Sequence, residues 1–156
     1  MTGMTVIVQT VTRWIKGFIF LFGWYIVLFG HLTPGGGFAG GVIVACTFVL
    51  MMLAYGKDVA LRRLSTTAVA HLDSAGALMF LVIAWLGMVL GGQFFLNYIH
   101  RNYPGHDFHI FSAGIIPLCN LAIGIKVGAS LFLVFIVLSV THVVLEKDRL
   151  KMRKRK

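Results

Sequence analysis

Gly30-His31-Leu32-Thr33-Pro34-Gly35-Gly36-Gly37-Phe38-Ala39-Gly40-Gly41 separates two long apolar runs, and its reading decides the fold. It reads as a tight hairpin between two membrane-spanning helices, with the glycines letting the chain turn. Pro34 has no N–H to donate and its ring blocks a continuing helix, so it predicts the end of the first helix or the first residue of the second. Gly36 and Gly40 are four apart, as are Gly37 and Gly41, and on a helix each pair makes a flat strip where another backbone can approach. Gly35-x-Gly37-x-x-Gly40 also matches a nucleotide-binding fingerprint, with Asp58 near the place of a ribose-binding acid. That fingerprint needs a preceding strand and a βαβ unit. Here the run from Trp14 to Phe29 is too long for a strand, a second helix-length apolar run follows, and no G-K-[ST] is present.

Composition points the same way. Hydrophobic residues make up 58% of the chain and charged residues 12%, about half the charge of an average soluble domain. The net charge of +9 would suit nucleic acid, but most of it flanks apolar runs, as membrane topology requires. No nucleic-acid partner is expected. Cys46 and Cys119 lie inside apolar runs and read as buried thiols rather than a disulfide.

Taken in order, the chain predicts four spans of near the ~20 residues that cross hydrocarbon. The first runs from about Trp14 to Leu32 and the second from about Gly36 to Tyr55. Lys57 to Leu72 connects them to the third, either as a helix lying on the membrane surface or as a solvated loop. The third runs from about Ser74 to Phe95, with Asp73 at its entrance and Ser74 or Asp73 as a cap. Asn97 to His109 is polar and holds the turn signal Pro104-Gly105. The run from Ile110 to Leu145 would extend over ~50 Å as one helix. Pro117 therefore predicts a break, with a short piece before it and a span from about Leu121 to Val144. The first nine residues lack the basic start and small-residue site of a cleaved signal.

The fold class is thus an all-α membrane protein of four transmembrane helices, its last helix broken near Pro117. Residues 1–146 form one transmembrane domain and residues 147–156 a basic tail. Lys and Arg set the orientation. Arg13, Lys16, Lys57, Arg62, Arg63 and the basic tail fall on one side and only Arg101 on the other, so both termini are expected in the cytoplasm and the hairpin outside.

The hairpin stretch also resembles the G-H-x-x-P-G-G-G-F-x-G-G signature of the B subunit (MnhB-type) of Mrp/Mnh multisubunit sodium/proton antiporters. The related subunit of membrane-bound, energy-converting hydrogenases shares that signature, and the apolar layout extends the similarity over most of the chain. Many antiporter B subunits carry an F-D-x-G-V type segment in the last helix. This chain has Cys119-Asn120-Leu121-Ala122-Ile123 there, with Asn120 where the acid would sit. The resemblance implies a multi-pass subunit of a prokaryotic cell membrane. Its partners would be the other membrane subunits of such an antiporter or hydrogenase, and the transported ions sodium and protons. The structural motif residues it implies are Gly30, His31, Pro34, Gly35, Gly36, Gly37, Gly40 and Gly41.

Lys126 is the one ionisable residue well inside a predicted span. Ionisable groups cost at least ~2.5 kcal/mol at the bilayer centre and usually mark function. Two readings stay open: a place on a proton or ion pathway, or a lysine near the outer interface that snorkels. Gly124 and Gly128 flank it at packing spacing. Asn120 is expected to bond across helices or to backbone freed by Pro117, and joins Lys126 as a candidate for the ion path. His106-Asp107-Phe108-His109 has half the spacing of a metal site but sits in a polar loop, and no metal is assigned.

Function divides into two classes. The absence of a deep carboxylate, a nucleophile–base pair, a cysteine cluster or a phosphate loop argues for a non-catalytic subunit without a cofactor, supporting assembly and an ion path. The alternative is a haem-carrying anchor of an oxidoreductase, with His71 and His142 near the inner ends of spans and His31 with His100 at the outer ends. A free-standing small transporter is a third, weaker option.

Overall fold

The computed structural model describes residues 4–102 and 112–154. Six helices follow in order: α1 (Val6–Phe29), α2 (Gly37–Tyr55), α3 (Lys57–Arg63), α4 (Thr66–Gly91), α5 (Tyr98–Asn102) and α6 (Ile116–Lys154). Four are long and apolar enough to cross a membrane: α1, α2, α4 and the Ile116–Thr141 portion of α6. Pro104-Gly105 and His106-Asp107-Phe108-His109 lie outside the described residues.

The spans form a curved row. α2 packs between α1 and α6, α4 packs on the other flank of α6, and α1 only grazes α6. An apolar side chain gains nothing by leaving lipid for another apolar side chain, so van der Waals fit and polar contacts hold such a row together. The glycines supply that fit. A Cβ on Gly40 would sit 2.7 Å from the Gly23 carbonyl of α1, and one on Gly41 would sit 2.8 Å from the Gly124 carbonyl of α6. Gly37 likewise abuts the Asn120 backbone. The expected glycine strips therefore serve both neighbours of α2 at once.

Several boundaries differ from the sequence reading. α1 ends at Phe29, well before Pro34. The Phe29 carbonyl accepts from Leu32 N and Thr33 N, both at 2.9 Å, and from the Thr33 hydroxyl at 3.0 Å, so local hydrogen bonds close the helix first. Pro34 lies in the turn itself, followed by Gly35 and Gly36 at φ +148° and +105°. Pro117 does not interrupt the last helix: it is the second residue of α6, where a missing N–H leaves no intrahelical bond unmade. The irregular chain expected there is the turn that precedes the helix. α4 begins at Thr66, not Ser74. Ser65 is its cap, with its hydroxyl accepting from Ala68 N at 3.2 Å.

The connecting segment is α3, anchored by fully buried Ala60 among Met51, Met52, Val69 and Phe132. At the other end of the bundle Asn97, in the turn between α4 and α5, ties that turn to the one before α6. Its side-chain oxygen accepts from His100 N and Ile115 N, both at 3.1 Å, and its amide donates to the Ala113 carbonyl at 2.9 Å. Cys46 and Cys119 are free, and Cys46 is exposed on the bundle surface instead of buried in it. The basic run after the fourth span continues α6 as far as Lys154.

Gly40→Ala and Gly41→Ala should each lower the thermal midpoint of the detergent-solubilised protein, at a cost of about 1–3 kcal/mol for forcing apart packed backbones. Gly17, which has nothing within 4 Å of a built Cβ, is the control. Gly17→Ala should be neutral or stabilise by about 0.5–1 kcal/mol.

Candidate functional site

Two polar features join α6 to the other apolar spans. The first closes the hairpin. α2 starts at Gly37, and the opening N–H groups of any helix have no partner inside it. In lipid such a group needs an acceptor from another element. Asn120 of α6 provides one: its side-chain oxygen accepts from Gly37 N at 3.3 Å. Of the two roles expected for Asn120, the bond across helices is the one present.

The second feature is an ion pair. Lys126 Nζ donates to Asp73 Oδ1 at 2.7 Å and to Ser130 Oγ at 2.6 Å. The Ser130 hydroxyl in turn donates to the same Asp73 oxygen. Gly76 sets the geometry, because it lies one turn beyond Asp73 and lets α4 press onto α6 beside Lys126. A Cβ there would stand 2.8 Å from Lys126 N and 2.9 Å from the Ala122 carbonyl.

Depth gives the pair its weight. Asp73 sits in the interior of α4, about 12 Å along from the Ser65 cap, so a carboxylate placed at a span entrance by sequence is inside the span. Lys126 is about 15 Å from the start of α6, and its ammonium turns to Asp73. The pair is not sealed, since the Lys126 and Asp73 side chains are 43% and 30% exposed.

Asn120 and Lys126 are not brought together: one faces Gly37 of α2, the other Asp73 of α4. Asp73 and Ser130 were missed as site residues. Ser130 lies four residues after Lys126, on the same helical face, which was a readable signal. Asp73 was legible only with the correct start of α4. Of the histidines, His31 is half-buried in the hairpin and His71 is exposed on α4. The side chain of His142, its expected haem partner, lies outside the described residues. Among the described residues no three His, Cys, Asp or Glu side chains cluster as metal ligands.

A row of glycine-packed apolar helices with an ionic pair between two of them defines a multi-pass membrane protein. Comparison with known proteins gives its kind. Residues 7–144 match the family described as a domain related to the MnhB subunit of Na+/H+ antiporter, and the chain belongs to that family. It is 32% identical over 135 residues to the Na(+)/H(+) antiporter B subunit of Bacillus subtilis, covering 86% of this chain and 87% of that one. It is 38% identical over 125 residues to an uncharacterised protein of Methanocaldococcus jannaschii, covering 78% of this chain but 47% of that protein. Among solved structures it is similar to a chain of the membrane-bound sulfane sulfur reductase, an archaeal respiratory membrane complex. There the TM-score is 0.71 and the identity 32%, over 84% of this chain and 56% of that one. The chain thus spans about half the length of two of these relatives.

Removing one member of the pair strands the other charge in the span. Asp73→Leu and Lys126→Leu should each destabilise the protein more than the double variant does. The coupling energy should fall within about 0.5–3 kcal/mol in a double-mutant cycle of detergent unfolding.

Proposed function

We propose that this chain is a non-catalytic membrane subunit of a multisubunit sodium/proton antiporter module, and that Lys126 and Asp73 lend paired charges to a polar path completed by neighbouring subunits. The observation that carries the reading is the Asp73–Lys126 pair itself, with donor and acceptor 2.7 Å apart inside two apolar spans. An ionised pair in such a position is costly, and in membrane proteins it marks ion or proton pathways. Membership of the MnhB family supplies the kind of complex.

One acid and one lysine do not make an exchange cycle, because the acid is already neutralised by its own chain. The chain's part is to hold charge in place and to pack, with movement of ions shared among subunits. Asn120 serves the packing by fixing the start of α2. The similarity to a chain of a respiratory complex supports a module that works either alone or joined to a redox enzyme such as a membrane-bound hydrogenase. The excess of Lys and Arg in the first half of α1 (Arg13 and Lys16), around α3 and after the fourth span supports a cytoplasmic side for both termini.

Lys126→Met should reduce sodium-driven proton movement in vesicles holding the complete complex by about ten- to a hundredfold, the scale of one charge-assisted contact worth roughly 1.5–3 kcal/mol. Normal exchange by a fully assembled Lys126→Met complex would take Lys126 out of the path.

A further inference from the structure

The Asp73–Lys126 pair lies open on the outside of the bundle. Among the spans α4 packs chiefly on α6, and the pair at their junction is left partly uncovered. An ammonium offers three N–H donors, and here one goes to Asp73 and one to Ser130. The carboxylate uses Oδ1 for both of its contacts among the described residues. A third donor and a second carboxylate oxygen are thus available on side chains 43% and 30% exposed. Hydrocarbon can satisfy neither. Polar side chains are what join helices at such depth.

We infer that the α4–α6 face centred on Asp73, Lys126 and Ser130 is the seat of a transmembrane helix from another subunit, which completes the cluster with a side chain carrying both an acceptor oxygen and a donor. An amide, a hydroxyl or a carboxylic acid has that chemistry, and a purely apolar helix does not. The seat itself allows close contact: Ala77 on α4 is small and exposed, and Val134 stands one turn beyond Ser130 on the same face of α6. This inference rests on the subunit reading, but not on passage of ions through the cluster.

The test uses the intact complex, purified in mild detergent. A photoreactive benzoylphenylalanine replaces Val134, which is 54% exposed and outside the polar cluster. A second variant carries it at Ala77. Cross-links should map to a transmembrane segment of another subunit with a polar side chain within one turn of the linked residue. Linkage to lipid alone, or to a segment without such a side chain, would overturn the inference. In parallel, the Asp73→Leu/Lys126→Leu double variant should hold that neighbouring subunit about tenfold less well through a salt wash, since the partner's polar group is left unpaired. Equal or tighter retention would also overturn it. A Lys126→Met complex that exchanges ions normally while the cross-link persists would remove the ion-path reading and leave this surface standing.

Discussion

Contact between bare backbones is the constraint on which this molecule depends. α2 lies between two helices at distances that a single methyl group would violate, with Gly40 against the Gly23 carbonyl and Gly41 against the Gly124 carbonyl. Close approach of this kind replaces the water-driven collapse that a soluble bundle enjoys, because apolar side chains are as well solvated by lipid as by each other. It also brings α6 near enough for Asn120 to reach the first N–H of α2. The turn, the glycine strips and the asparagine are one device, and the family signature across Gly30 to Gly41 is its trace in sequence.

On the other side of α6 the same logic runs through Gly76, with an ionic outcome. The close crossing of α4 and α6 lets a carboxylate, an ammonium and a hydroxyl meet without long side chains stretching across open space. Paired charges in a low-dielectric setting do not strengthen a fold by much, since desolvation offsets their attraction. Their presence at this depth is better explained by what they face than by what they hold together.

The hairpin, the helical class and the four spans were legible because they depend on local composition: runs of apolar residues, and glycines clustered at a turn. The ends of helices were less so. α1 begins at Val6, eight residues before the expected start at Trp14, and its early turns are held by contacts that sequence does not display. Among these are the Tyr55 hydroxyl donating to the Gln9 carbonyl at 2.8 Å and Met4 N donating to the Ala54 carbonyl at 3.0 Å. α4 was cut short because Thr66, Thr67 and His71 dilute its hydropathy, and Ser65 did not stand out as its cap. Starting the span at Ser74 put Asp73 at its entrance and hid its partnership with a lysine fifty-three residues away. The ion pair was therefore invisible for a local reason, a misplaced cap, compounded by a distant one. Lys126 and Asn120 were identified singly as polar intruders, but which helix each would meet is decided by packing.

The unbroken course of α6 has a mechanical consequence. From Asn120 to Lys154 it is a single helix some 50 Å long, gripped by α2 on one side and α4 on the other within the span, and running on past both. Such a rod behaves as a lever with its fulcrum in the bilayer. A tilt of about 5° pivoting at Asn120 swings the far end by about 4 Å. Motion too small to notice among the packed glycines would thus be amplified at the positively charged tip.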